Sequence, residues 1–317
     1  MPRGLRVVLA VVAAAVVAAP LAGCGSAGRA SPLTGLPVTS DRPVLAVKVD
    51  NSPAGRPWTG VEDADVVYVE PVEGGTTRLL AVFSSRLPAS VGPVRSARES
   101  DVTVLAAYGH PALAFSGSAP ELAPTLAGAP IAAVTPETAA PAFHRDPARR
   151  APSNLYADPA ALLSAAGSAG GASPPRDVGF RFGALPPGGD VVRRRDVAFG
   201  TAELVLTWDA VRGRWIVEPG AAGPVVPATG GDPVGAATVL VQHVTTRPSA
   251  IRDAAGAVSP YAVTVGEGAA EVLRDGRSFP ARWSRPTPTD PTAVLGADRL
   301  PVPFAAGPVW VLLVPDG

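Results

Sequence analysis

The chain has 317 residues, 47% of them apolar, with 27 basic and 27 acidic side chains in formal balance. That apolar content supports a packed core and excludes a disordered chain, while zero net charge excludes a whole-molecule field that would draw it to nucleic acid or anionic lipid. A single cysteine excludes a disulfide framework.

The first element is a leader. Arg3 and Arg6 precede an apolar run from Val7 to Ala19, about 13 residues long. This is shorter than the ~20 residues a spanning helix needs and has the charge and length of an export signal. Leu21-Ala22-Gly23-Cys24 follows and resembles the lipobox of bacterial lipoproteins. Small residues ahead of the cysteine let a peptidase reach the backbone, and the Cys24 thiol is the nucleophile that takes a diacylglycerol. Residues 1–23 are therefore expected to be a lipoprotein signal peptide, Cys24 the lipidation site, and residues 24–32 a Gly/Ser/Ala-rich tether. At ~3.5 Å per residue the tether reaches about 30 Å. Acyl chains contribute ~0.8 kcal/mol per buried CH₂, so more than one chain, palmitate or similar, anchors stably. The expected location is the outer face of the cytoplasmic membrane. A plain cleaved signal with an incidental cysteine is the alternative.

In the body, Val44 to Val49 predicts a buried strand. Val66 to Val69 and Arg78 to Phe83 predict two more, joined by a turn from Glu70 to Gly75, and Ala112 to Phe115 a shorter one. Ser96-Ala97-Arg98-Glu99 reads as a capping box opening a helix to about Tyr108, with Gly109 at its end. Ser118-Ala119-Pro120-Glu121 opens a second helix, closed by Gly128, and Asp158-Pro159 a third, from Ala160 to Ala166. Residues 33–170 thus form a mixed α/β part, and 171–189, opening on a Gly/Ser/Ala/Pro-rich stretch, a linker. Strands are predicted at Glu203 to Trp208, Arg214 to Val217, Thr238 to Val244, Tyr261 to Val265, Glu271 to Arg274 and Val309 to Val314. Residues 190–317 are thus nearly all β, and the class is α+β. The two parts either fold separately or share a sheet.

Polar signal concentrates in the first part. Asp50 and Asn51 end the first strand, Glu70 and Glu73 flank the turn before Gly74-Gly75 and Arg78, and Arg95 and Arg98 sit at the predicted helix start. His144, Arg145 and Asn154 follow in a loop. Guanidinium groups beside a helix N-terminus suit an anion. The alternative is that Arg95 and Arg98 pair with Glu70, Glu73 or Asp50 and hold loops together. Glu70 and Glu73 are a candidate catalytic carboxylate pair, although two glutamates three apart on one turn seldom face a glycosidic bond from opposite sides; structural or ligand-orienting carboxylates are the alternative. No HExxH, CxxC, GxSxG, P-loop or dinucleotide fingerprint occurs, so neither a metal nor a cofactor is expected.

The segments Val47-Lys48-Val49-Asp50-Asn51, Val72-Glu73-Gly74-Gly75-Thr76-Thr77-Arg78, Gly92-Pro93-Val94-Arg95-Ser96-Ala97-Arg98, Ala151-Pro152-Ser153-Asn154-Leu155-Tyr156 and Trp310-Val311-Leu312-Leu313-Val314-Pro315 resemble the YerB-like bacterial lipoproteins, a family classed as a domain of unknown function. The resemblance covers most of the chain beyond the tether. It implies layered mixed sheets with helices on one side in a membrane-anchored envelope protein, and it supplies no reaction. Lys48 departs from it, standing where a more apolar residue is expected.

Three functions remain open. The first is a non-catalytic module binding an anionic ligand or protein partner through the Arg/Glu loops. The second is a hydrolase or transferase acting on envelope glycan or phosphorylated polymer, with His144 as base. The third is a structural partner of a membrane protein complex. None involves nucleic acid.

Overall fold

Runs of Val, Leu and Ala supply strands buried on both faces: β1 (Leu45–Asp50), β2 (Val66–Pro71) and β3 (Thr77–Phe83). The computed structural model describes residues 29–39, 42–220, 225–253 and 255–316, together with Met1. The expected signal peptide, Cys24 and the tether up to residue 28 lie outside the described residues. After β3 come α1 (Glu99–Leu105), β4 (Ala112–Ala114), α2 (Ala123–Gly128), β5 (Ala132–Val134), β6 (Phe143–Arg145), β7 (Leu155–Ala157) and α3 (Pro159–Ser168). The rest is strand: β8 (Asp190–Val191), β9 (Arg194–Phe199), β10 (Ala202–Asp209), β11 (Arg214–Pro219), β12 (Gly235–Ala236), β13 (Thr238–Val244), β14 (Thr246–Arg252), β15 (Val258–Ala262), β16 (Gly266–Arg274), β17 (Arg277–Arg285), β18 (Ala293–Leu295) and β19 (Val309–Pro315). The α+β class holds, with a C-terminal half that is all β among the described residues. No helix of the described residues is long and apolar enough to cross a membrane.

Both parts build one 11-stranded sheet, in the order β18-β17-β16-β13-β19-β2-β3-β1-β4-β5, with β8 paired to β17. β19 runs parallel to β13 on one side and to β2 on the other. Strand alternation sends its side chains to two cores. Trp310 and Leu312 join Trp58, Val67 and Val69 on one face, against Leu206 and Trp215 of the small sheet β12-β11-β10-β9. Val309, Val311 and Leu313 join Val66, Leu80, Val104 and Leu105 on the other. The helices divide between these faces, where the resemblance implied one side. Leu162 and Ala166 of α3 belong to the first core, and Leu126 of α2 and Val104 of α1 to the second. The stretch 171–189 is not a free linker: Val178 and Phe180 are buried in the second core, and the Val178 carbonyl accepts from the Thr292 amide at 2.9 Å.

α1 starts at Glu99, three residues beyond the predicted cap. Residues 92–98 stay extended because flanking chains take their backbone groups. The Asp50 amide donates to the Pro93 carbonyl, the Val94 amide to Leu155, the Arg95 amide to Lys48 and the Ala97 amide to Gly117. The Arg98 amide donates to Asp101 Oδ2 at 2.6 Å, closing the first turn. Asp158 caps α3 as the sequence predicts, accepting from the Ala160 and Ala161 amides. The strand expected at Tyr261 to Val265 lies earlier, as β15. It pairs with β14, which the proline at position 248 conceals in the sequence. This β14-β15 hairpin lies over α1, where the Ala262 amide donates to Ser100 Oγ at 3.0 Å.

Lys48 is fully buried on the α1 face of the sheet. It donates to Glu70 of β2 and, at 2.6 Å, to Asp101 of α1, both also buried. This answers why a lysine stands in an apolar strand. It also corrects the expectation that Glu70 binds ligand, since its carboxylate is committed to the core. Two carboxyls share one ammonium out of water. Burial, with Asp101 close by, outweighs Lys48 and pushes the Glu70 carboxyl from 4.5 up to about 8. The folded chain therefore holds a proton on Glu70 between 4.5 and about 8 that the unfolded chain has released. That contribution to stability is complete below pH 4.5 and is lost as pH rises through about 8. Chemical denaturation of the wild type should show stability falling across this window, with a flatter profile for Glu70→Gln. Lys48→Met should cost about 3–5 kcal/mol by leaving the buried carboxyls without their cation.

Candidate functional site

A cleft of about 530 Å³ opens where the first part meets the β14-β15 hairpin. Its lining includes Arg78, Arg95 and Arg98, the loop Ser118 to Glu121, Pro152 and, from the hairpin, Ile251, Arg252, Asp253 and Ser259. Antiparallel register sets the floor. Asp50 of β1, Arg78 of β3 and Glu70 of β2 are directly opposite one another, so all three point to the α1 face. Arg95 arrives from the extended strand-like segment before α1.

The three arginines differ in what holds them. Arg98 makes a two-pronged pair with Glu73, Nε to Oε1 and Nη2 to Oε2, each at 2.8 Å. Its Nη1 donates to the Ala97 carbonyl at 3.0 Å, and Ser259 Oγ donates to the same glutamate. Burial would raise the Glu73 carboxyl, but the Arg98 and Ser259 hydrogen bonds outweigh it and hold the group down at about 2. Arg98 and Glu73 therefore tie the turn before β3 to the start of α1 and to the hairpin. This is the loop-holding alternative of the sequence reading. The predicted anion seat at a helix N-terminus is also taken, because Asp101 occupies it.

Arg95 Nε lies 3.6 Å from Asp50 Oδ2, a loose ion pair, and makes no hydrogen bond through that nitrogen. Asp50 is already served by Ser153 Oγ at 2.6 Å and by the Ser52 amide at 2.9 Å. Burial raises its carboxyl, but these two bonds and Arg95 together bring it below its ordinary value. Among the described residues Arg78 makes no ion pair within 4 Å, and its Nη1 is buried without a hydrogen-bond partner. Burial pushes the Arg78 guanidinium down to about 10; the Arg98 and Arg95 cations add to this, and Glu73 and Asp50 oppose it. A guanidinium in the cleft lining, without an ion pair of its own among the described residues and only partly offset by Glu73 and Asp50, is the main electrostatic feature of the site. Asn51 does not line this cleft; it donates to Thr77 Oγ1 at 2.7 Å and has its own Oδ1 buried without a partner.

His144 and Arg145 do not join this cluster. They line a second cleft of about 610 Å³ with Arg56, Arg149 and Tyr156, because β6 and β7 form a separate two-stranded sheet. His144 stacks on Tyr156, ring centroids 5.9 Å apart. Arg145 donates to Asn154 Oδ1 at 2.7 Å, so Asn154 orients Arg145. Arg149 donates to the Pro57, Ala54 and Arg56 carbonyls and to the Tyr156 hydroxyl, clamping the loop after β1. Sequence reading passed over Arg149, Ser153 and Ser259, whose partners are distant in the chain and leave no local pattern. Among the described residues no group of three or more His, Cys, Asp or Glu could hold a metal ion.

Family models described as DUF3048, a protein of unknown function, match residues 33–172 with the N-terminal domain and residues 195–311 with the C-terminal domain. A Bacillus subtilis (strain 168) protein named "Putative lipoprotein YerB" is 53% identical over 78 residues. That alignment spans 23% of this chain and 23% of the relative's own length. The crystal structure of YerB protein from Bacillus subtilis superposes with a TM-score of 0.77 at 24% identity, covering 91% of this chain and 97% of that one. The likeness establishes the fold.

The contrast between the arginines can be measured. Arg98→Ala should destabilise the chain by about 3 kcal/mol, since it strands a buried Glu73. Arg78→Met should be neutral, or stabilise by up to about 1 kcal/mol, as expected where a site is held at some cost to stability. Equal losses in urea denaturation would show that Arg78 is structural too.

Proposed function

This chain belongs to the DUF3048 family, a family of unknown function, and from that premise we propose that it is a cell-envelope lipoprotein whose cleft binds an anionic ligand through Arg78 and Arg95. The lipoprotein part is supported by the Leu21-Ala22-Gly23-Cys24 motif behind its leader and by the name of the relative. Acylated at Cys24, the body would face away from the cytoplasm, on the outer face of the membrane.

One observation carries the binding reading: Arg78 lines the cleft, and its Nη1 is buried with no hydrogen-bond partner among the described residues. An unpaired donor out of water costs free energy, and a carboxylate or phosphoryl oxygen would satisfy it with a charge-assisted bond. Arg95 is placed to supply a second. The enzyme reading has less support, because His144 lines a different cleft from the arginines. The structural-partner reading is supported only for Arg98, whose donors are used internally. The ligand-binding candidates that remain are Arg78 and Arg95.

Pyrophosphate is a suitable probe. A ligand at 100 times its Kd stabilises by about 2.7 kcal/mol. Wild-type Tm should rise with pyrophosphate or citrate, and Arg78→Met and Arg95→Ala should each lose most of that rise while Arg145→Ala keeps it. A wild type that responds to neither anion refutes the binding reading. For anchoring, Cys24→Ser should move the chain from the membrane fraction to the soluble fraction, and an unchanged distribution would refute the lipid anchor.

A further inference from the structure

We propose that Lys48 and Asp101 condense inside the folded core to an isopeptide bond, with Glu70 as the proton carrier. The three side chains come from three elements, β1, β2 and α1, and meet in a space closed to water. Side-chain exposure is 0% for Lys48 and Asp101 and 1% for Glu70. Lys48 Nζ donates to Asp101 Oδ1 at 2.6 Å and also to Glu70 Oε2. The other Glu70 oxygen is buried without a partner. Apolar groups surround the cluster: Leu80 stands opposite both Lys48 and Tyr68 in the sheet, and Val104 and Leu105 belong to the same core.

As a plain ion cluster this arrangement is costly, since desolvation opposes every charge in it. Condensation removes the ammonium and one carboxylate together and leaves a neutral amide. The geometry also supplies what amide formation lacks in water. The 2.6 Å contact between Nζ and Asp101 Oδ1 holds the amine beside the carboxyl it would attack, and reacting groups held together in this way gain effective molarities of up to ~10⁵–10⁸ M.

The step balances without any co-reactant. A proton passes from Nζ to Oδ1 along their hydrogen bond, giving amine and acid. The Nζ lone pair attacks Cγ, and the charge that develops on Oδ2 is met by the Arg98 amide, 2.6 Å away. Glu70, which burial keeps protonated, gives its proton to Oδ1 and takes one from Nζ. The Cγ–Oδ1 bond breaks, one water leaves, and Glu70 ends as it began. Oδ2 becomes the amide carbonyl and keeps the Arg98 amide as its donor. The bond would join positions 53 apart and fix α1 to the sheet directly behind Arg95 and Arg98. It rests on this cluster alone, whatever the cleft binds.

Mass spectrometry of the full chain, denatured and digested with trypsin, tests this. The wild type should yield a branched peptide holding both Lys48 and Asp101, lighter than its two parts by one water and uncut after Lys48. Lys48→Met and Asp101→Asn/Lys48→Met chains should lack it, and Glu70→Gln should yield the two peptides unlinked, cut after Lys48. A wild type cleaved after Lys48, with both peptides at full mass, overturns the proposal. So does a lost water that maps elsewhere, for example to a succinimide at Asp275-Gly276. Because the decisive reading is on the wild type, poor folding of a variant does not blunt the test.

Discussion

The pairing of β19 with both β13 and β2 is the constraint on which everything else depends. A strand from the C-terminal end sits between strands of the two halves and is buried on both faces, so neither half completes its core alone. Trp310 illustrates the coupling: it is packed 6.0 Å from Trp58 of the first half while its backbone pairs with β13 of the second. Only because the sheet is continuous does the β14-β15 hairpin come to rest over α1. The cleft exists at that contact, with arginines from one half and Ser259 and Ile251 from the other.

Charge is distributed over this frame in three distinct ways. On the surface, pairs such as Arg181–Asp177 and Arg86–Asp63 are largely exposed, and such pairs contribute little. At the part boundary, Arg98, Glu73 and Ser259 form a satisfied polar joint. Further in, Arg285 and Asp65 are buried and served by hydrogen bonds alone, while the Lys48 cluster holds two carboxyls for one cation and Arg78 has one guanidinium nitrogen without a hydrogen-bond partner. The register brings the two close: Glu70, at the edge of the first, is the cross-strand neighbour of Arg78. The carboxylates that act on Arg78 are Glu73 and Asp50, and the Arg98 and Arg95 cations oppose them.

What the sequence made legible follows from the range of each interaction. β1, β3, β13 and β19 are visible because a strand buried on both faces writes itself as an unbroken apolar run. α3 is visible because its cap, Asp158, lies one residue before it. The start of α1 is misread for the opposite reason. Ser96 to Glu99 has the spacing of a capping box, but the backbone of 92–98 is engaged by Lys48, Leu155 and Gly117, none of them near in sequence. β17 is hidden by its polar alternation. For the candidate site, the structure brings Arg78, Arg95 and Arg98 of the sequence motifs into one cleft, yet which arginine is paired depends on Glu73 and Ser259, and Ser259 lies 186 positions from Glu73. His144 was grouped with them because it belongs to another polar loop, and topology sends that loop to β6-β7. Lys48 left a visible signal as the one lysine, inside an apolar strand. A charge there demands buried partners, though the sequence does not say which.

The buried cluster and the cleft also share a hinge point at residues 98–101. Asp101 accepts the Arg98 amide with one oxygen and Lys48 with the other, and the Arg98 side chain turns outward to Glu73. The position of the cleft's arginine segment is thus set from behind by the core rather than by α1, whose seven residues are too few to be stable by themselves. Exported domains that need such a short element held firmly commonly use disulfides. This chain has one cysteine, at position 24, which the lipobox reading commits to lipid. A lysine–aspartate bond from β1 to α1 uses no thiol and leaves the Asp101–Arg98 contact in place. It would make the rigidity of the cleft floor independent of redox state.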